Sequence, residues 1–363
     1  MKKTILTILL ASAVILSLVD RGRTPVAAAS NAKPGLEQTT FQLGHLNSTA
    51  HLLAFVAAEE GFFKEEGLDA TLTLFASAGE LAAGLTSGKL DAAFIGSVPA
   101  ITFQSQGQPL SIFGGAMTNG HGYVVKPKFV EGLTQDQIDI TVLKGLRVAT
   151  TKPSVQDLQL QILLKKAGLT YGDPDEGKDV TVVYFDSQRD AYNAMAGAEI
   201  DAVSVYSPYA SRAISEGYKV IFYCSDIPEF KNQPCCRQVA VTETLAAKPN
   251  TYVAFERALI KAYKFSQENH EKTIDDVAEY IQIDRNLIET EVYGGYSESV
   301  PDPDRRATRT LKDNVVGFGY TTDYDIEPLY DTTVYKTALE SLLAEFPQDP
   351  IYTALRTRFE TGN

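Results

Sequence analysis

Hydrophobic residues along this chain change their period repeatedly, and each change marks an element. Phe41 to Leu46 is a short extended run, apolar residues recur at helical spacing from Ala50 to Phe63, and Gly67 ends that unit before a second extended run, Ala70 to Phe75. A helix over Gly79 to Ser87, a strand over Ala92 to Gly96, a short helix from Val98 and a strand over Leu110 to Ala116 follow. Strands alternating with helices in this way predict βαβ units, with a largely parallel sheet covered by helices on both faces. The expected fold class is α/β.

The same alternation restarts near Leu146. LRVATTKPSVQDL, Leu146 to Leu158, again leads a strand into a helix, and Ala167-Gly168-Leu169 closes it as Glu66-Gly67-Leu68 closed the first unit. KLDAAFIGSVPA (Lys89 to Ala100) aligns with EIDAVSVYSPYA (Glu199 to Ala210), with identities at Asp91/Asp201, Ala92/Ala202, Ser97/Ser207 and Ala100/Ala210. Such self-similarity predicts two similar lobes. Beyond Thr244 the pattern is helical: Pro249 to Glu268, Thr273 to Ile281 and Tyr335 to Leu343, with a loop from Ser297 to Arg305 and no further strand expected. A helical tail of this kind needs a lobe to pack on.

The first 29 residues have a different character. Lys2 and Lys3 precede an apolar stretch, Ile5 to Val19, and Ala27-Ala28-Ala29 offers a small-residue cleavage site, the pattern of a secretory signal. Asp20, Arg21 and Arg23 cut the apolar run short of the roughly 20 residues that a spanning helix needs. Residues 30–39 read as a polar linker. The product is expected to be exported, and with no cysteine before Cys224 it carries none next to the signal for lipid attachment. Cys235 and Cys236, as neighbours in an extended segment, should point to opposite sides, so a bridge from Cys224 to one of them is the feasible pairing.

Charge narrows the partners. The 363-residue chain has 33 Lys plus Arg against 46 Asp plus Glu, a net charge of −13, and removal of the signal makes it more acidic. Nucleic acid and anionic lipid need clustered cations and are poor partners. Enzymatic motifs are missing as well: there is no G-x-S-x-G elbow, no H-E-x-x-H, and no G-x-G-x-x-G after a strand. His45, His51, His121 and His270 lack metal-ligand spacing except for the first two, so neither a metal nor a cofactor is expected.

Polar residues do gather where strands feed helices. Gly44 to His51 places Asn47, Ser48, Thr49 and His51 at such a junction, where open α/β sheets bind ligands and a helix N-terminus favours an anionic group. Helix capping accounts for one of these residues but not for His51. Ser97, Thr151 to Ser154, and Tyr206-Ser207 stand at corresponding junctions, each as readily a cap as a contact. Arg237, in PCCRQ, carries a planar donor fork suited to a carboxylate, sulfonate or phosphate.

GHLNSTAHLLAFVAAEEGFFKEEGLDATL (Gly44 to Leu72) with AGLTSGKLDAAFIGSVPAI (Ala83 to Ile101) resembles the nitrate/sulfonate/taurine-type solute-binding proteins of bacterial ABC importers. KGLRVATTKPSVQDLQLQILLKKAGL (Lys144 to Leu169) and DAVSVYSPYASRAISEG (Asp201 to Gly217) match that family's second lobe. The resemblance implies the type II periplasmic binding protein fold, with two lobes joined by crossings near His121 to Lys126 and Cys236 to Val241. Lobe one would then comprise residues 40–122 and 238–363, the latter with the helical tail, and lobe two residues 123–237. It further implies ligand contacts from Asn47, Ser48, His51, Ser97 and Val98, from Asn119 or His121, and from Thr151, Ser154, Tyr206, Ser207 and Arg237. Arg237 would neutralise an anionic head while Tyr206 packs on the organic part. The implied role is non-enzymatic: a monomeric periplasmic or cell-surface subunit that closes on a small solute and delivers it to an ABC permease and its ATPase. Thiamine-pyrimidine precursor binders share the superfamily and offer a heteroaromatic alternative. The related pyrimidine synthase has a fuller cysteine cluster than Cys235-Cys236.

Overall fold

The computed structural model describes residues 35–363, so the expected signal at 1–29 and residues 30–34 of the expected linker lie outside the described residues. Strand β1 (Thr40–His45) leads through α1 (Leu52–Glu59) and a short α2 (Phe62–Glu65) to β2 (Asp69–Leu74). Gly67 makes the turn between them at φ +84°, a conformation open to glycine because it lacks a Cβ. Helix α3 (Ala78–Thr86), β3 (Ala92–Gly96), α4 (Ser97–Ser105) and β4 (Leu110–Asn119) complete this passage. A second group follows: β5 (His121–Val125), β6 (Arg147–Thr151), α5 (Val155–Lys166), β7 (Tyr171–Gly172), β8 (Val180–Phe185), α6 (Gln188–Ala194), β9 (Ala202–Tyr206), α7 (Tyr209–Ser215) and β10 (Lys219–Tyr223). The chain returns along β11 (Pro234–Val241) and runs on through α8 (Thr242–Ala247), α9 (Pro249–Glu268), α10 (His270–Ala278), α11 (Arg285–Tyr293), β12 (Ser297–Ser299), α12 (Arg305–Gly317), α13 (Thr333–Glu345) and α14 (Pro350–Gly362).

These strands form two six-stranded sheets, in the orders β12-β4-β11-β3-β1-β2 and β10-β5-β9-β6-β8-β7. Each is mixed, with parallel pairing for two of the five strand pairs in the first and three of the five in the second. Strands connected by covering helices, such as β1 with β2 and β3, or β6 with β8 and β9, pair in parallel. Strands that carry the chain between sheets have no such crossover, and β11 against β3 and β4, and β5 against β9 and β10, pair antiparallel. β11 belongs throughout to the first sheet, so the return between sheets lies at 224–233, ahead of the expected Cys236 to Val241. The tail also holds a strand where none was expected, since β12 pairs with the end of β4.

The internal repeat has a physical basis in one carboxylate per sheet. Asp91 receives the backbone N–H of Gln42 at 2.8 Å while its own N–H reaches the Gln42 carbonyl at 2.8 Å. Asp201 does the same with Arg147, at 3.2 and 2.9 Å. Each clamps the start of a central strand to the strand beside it, and the matched residues that follow then fall at equivalent places.

The helical tail packs on the first lobe. Phe255 of α9 stacks on Phe41 at 4.6 Å and on Phe63 at 5.7 Å between ring centres. Buried Glu66 pairs with Arg257 at 2.8 Å and Lys261 at 2.5 Å, and Arg257 reaches on to Glu345 of α13 at 2.7 Å. Two cations, Arg257 and Lys261, thus surround Glu66, an arrangement that satisfies the buried carboxylate. Phe255→Ala should lower unfolding stability by about 3–5 kcal/mol, the cost of emptying a fully packed aromatic site. Denaturant titration followed by circular dichroism measures this, and a loss below about 1 kcal/mol would mean that α9 does not anchor the core.

Candidate functional site

Three helices begin with the same device. Ser77 accepts the N–H of Glu80 at 3.2 Å, Ser154 that of Asp157 at 3.1 Å, and Ser187 that of Asp190 at 3.1 Å. Each is a serine followed three residues later by an acid, which caps the helix and turns its free N–H groups outward. The starts of α3, α5 and α6, with that of α4 at Gly96, face one cavity of about 410 Å³ lined from both lobes. Its walls include Ser48, His51 and Phe103 from the first lobe and Thr151, Ser154 and Tyr206 from the second.

Of the residues expected at the site, Ser48, His51, His121, Thr151, Ser154 and Tyr206 line this cavity. The others do not. Asn47 is engaged by the Tyr209 hydroxyl. Ser97 and Val98 are fully buried behind Gly96. Asn119, at φ +56°, fastens the return passage by donating to the Phe230 carbonyl at 2.7 Å and accepting from the Asn232 N–H at 2.8 Å. Ser207 joins the lobes behind the cavity, its carbonyl accepting from Ser48 at 2.9 Å and its hydroxyl meeting Thr49. Arg237 is the main correction. It is wholly buried away from the cavity, donating to Thr308 at 3.3 Å and to the Cys236 carbonyl at 3.0 Å beside Tyr330, because β11 turns it toward α12.

Sequence reading missed the starts of α3 and α6, Lys152, Phe103 and the cysteine pair. The serine-to-acid spacing at Ser77 and Ser187 was the available signal for the first two. Lys152 lies 5.1 Å from the ring centres of both Tyr184 and Tyr320 at the rim, with Glu80 and Asp186 as the acids nearby in the lining. Among the described residues, no cluster of three or more His, Cys, Asp or Glu is placed to hold a metal.

The bridge that was feasible from Cys224 is not formed. All three cysteines are free; Cys224 is buried next to Tyr123, while Cys235 and Cys236 touch each other at 3.3 Å and line the cavity. The contact with Cys235 draws the Cys236 thiol down to about 5 against the opposing effect of burial, helped by the His51 imidazole and the Arg237 charge. The same contact and burial push Cys235 up. Burial pushes His121 down to about 3, so its ring is neutral in the cavity wall.

A sequence model described as the NMT1-like family matches residues 34–282. The chain belongs to the NMT1-like family. Among curated relatives of this family member, "Putative binding protein YtlA" of Bacillus subtilis is 26% identical over 255 residues, covering 69% of this chain and 73% of that one. The periplasmic nitrate-binding protein NrtA of Synechocystis superposes with a TM-score of 0.70 at 17% identity, over 85% of this chain and 90% of that one. The alkanesulfonate-binding protein SsuA of Xanthomonas axonopodis, solved with MOPS, gives 0.64 at 17% identity, over 78% and 93%. These structures establish the periplasmic binding protein fold for the chain, with its two lobes.

Behind the α5 start of this NMT1-like chain, Asp157 ties the lobes together. It accepts from Gln161 at 2.9 Å and from the hydroxyl of Tyr320, which comes from the tail beyond α12. Burial pushes the carboxyl up to about 7, opposed by the Lys152 charge and the Gln161 bond, from an ordinary value of 3.8. A raised acid holds its proton longer in the folded state, so its contribution to stability falls as pH climbs from about 4 through about 7, with a limiting slope of about 1.4 kcal/mol per pH unit. Asp157→Asn should remove that slope. Urea unfolding from pH 5 to pH 8 should show the variant gaining on the wild type at each step, whereas a constant difference would mean that Asp157 is already ionised at pH 5.

Proposed function

We propose that this chain is the exported solute-binding subunit of an ABC importer, capturing a small anionic or zwitterionic organic molecule between its lobes for delivery to a permease. The observation that carries the reading is the single cavity onto which several capped helix starts converge from both lobes. Their outward N–H groups and dipoles favour negative charge, and Lys152 adds a cation to the lining. Glu80 and Asp186 supply partners for an ammonium group, which suits a taurine-like zwitterion. A volume of about 410 Å³ is also far beyond what a bare inorganic anion fills and falls in the range of organic-ligand pockets. The binding of nitrate and alkanesulfonate by proteins of the same fold is consistent with this class of guest.

The two lobes, each built on one of the sheets, would act as two jaws, the return at 224–233 and Gly120 serving as the hinge. Closure would exclude water and strengthen the hydrogen bonds to the guest, and the permease would read the closed state. No bond in the solute is broken. Tyr206 and Phe103 in the wall support the heteroaromatic alternative, because flat rings stack on such side chains.

A thermal-shift and calorimetric screen of taurine, alkanesulfonates, nitrate and pyrimidines tests the reading. The true ligand at 100 times its Kd should add about 2.7 kcal/mol of stability. Lys152→Met should weaken an anionic ligand by roughly 1.5–3 kcal/mol, while Glu80→Gln should weaken taurine more than an alkanesulfonate of equal length. Stabilisation by none of these compounds, or chemical turnover of any of them, would end the proposal.

A further inference from the structure

Solute capture leaves the Cys235-Cys236 pair without a task. In a regular strand neighbouring side chains point to opposite faces, yet these two sulfurs lie 3.3 Å apart. The cause is a double register slip in β11, where Pro234 pairs with Thr118, Cys236 with Met117 and Arg237 with Gly115. Such a bulge re-aims side chains, here turning both thiols into the cavity wall beside His51. The His51 Nε2 is buried without a hydrogen-bond partner among the described residues.

We propose that Cys235 and Cys236 form a reversible vicinal disulfide inside the cleft by exchange with a small-molecule disulfide. The Cys236 thiolate attacks one sulfur of the reagent, breaking its S–S bond and releasing one thiolate. Cys235 then gives its proton to a released thiolate and attacks the Cys236 sulfur, expelling the second. Two protein thiols are oxidised, one disulfide is reduced, and two free thiols leave with the two protons. The low Cys236 thiol supports its role as the attacking group. Adjacent Cα atoms sit about 3.8 Å apart, shorter than the usual span of about 4.4–6.8 Å for a bridge, so the bond is strained and readily reduced, as in labile regulatory disulfides. The bridge would also replace two thiols of the cavity wall with a rigid S–S unit, so an anion should bind the two redox forms with different affinity, a consequence that rests on the anionic-solute reading above.

The test uses the full chain treated with oxidised glutathione, quenched with acid and digested with trypsin. Both cysteines fall in the peptide 232–237, and Cys224 in 220–231. Peptide 232–237 should lose two hydrogens and regain them with dithiothreitol, and Cys235→Ser should instead trap glutathione on Cys236. Free thiols throughout, a lasting glutathione adduct on the wild type, or a crosslink to peptide 220–231 would each overturn the proposal. Taurine and methanesulfonate titrated into both redox forms complete the experiment: equal affinities refute the tuning, while no binding to either form counts against the anionic solute and leaves the disulfide to the peptide masses.

Discussion

Strands β4 and β11 lie side by side at the centre of the first sheet, and β4 is buried along all ten of its residues, as β11 is except at Val241. No water reaches their amides, so each must be satisfied within the protein. That requirement holds the antiparallel ladder together, and the ladder in turn fixes where the chain leaves the first sheet and where it comes back. Gly120 follows β4 directly, and the return passage is pinned to the end of β4 through Asn119. The relative placement of the two sheets, and therefore the cleft, depends on this one pair of strands.

The ladder also sorts the residues of PCCRQ. Because β11 slips register around its cysteines, both thiols reach the cavity while Arg237 is carried to the other side of the sheet. A buried guanidinium without a carboxylate partner would be costly in isolation. Here Thr308 and the Cys236 carbonyl take part of its donor set. The cavity is left with little fixed positive charge of its own and relies on backbone N–H groups at helix starts, which need no reorganisation when a guest arrives.

Asp157 shows how the lobes and the site share groups. Its N–H is capped by Ser154, its carboxylate meets the tail through Tyr320, and it sits behind the wall that Lys152 and Ser154 present. A change in its ionisation would be felt at once in lobe contact and in cavity charge, so stability and binding in this protein are not independent quantities.

The α/β alternation, the repeat, the long α9 and half of the site could be read from the chain alone, because each rests on local physics. Period, glycine turns, capping serines and the Asp91/Asp201 clamp all act within a few residues or between equivalent strands. Strand direction, the extra β12, the positions of Arg237, Ser97 and Asn119, and the meeting of Cys235 with Cys236 could not. They depend on which strand lies beside which and in what register, and a slip in pairing changes the face to which a side chain is sent without altering a single residue. The amino-acid sequence by itself settled the alternation of strands and helices and the residue types that cap helix starts, because both are local; only the packing of β11 against β3 and β4 decided which polar groups look into the cleft.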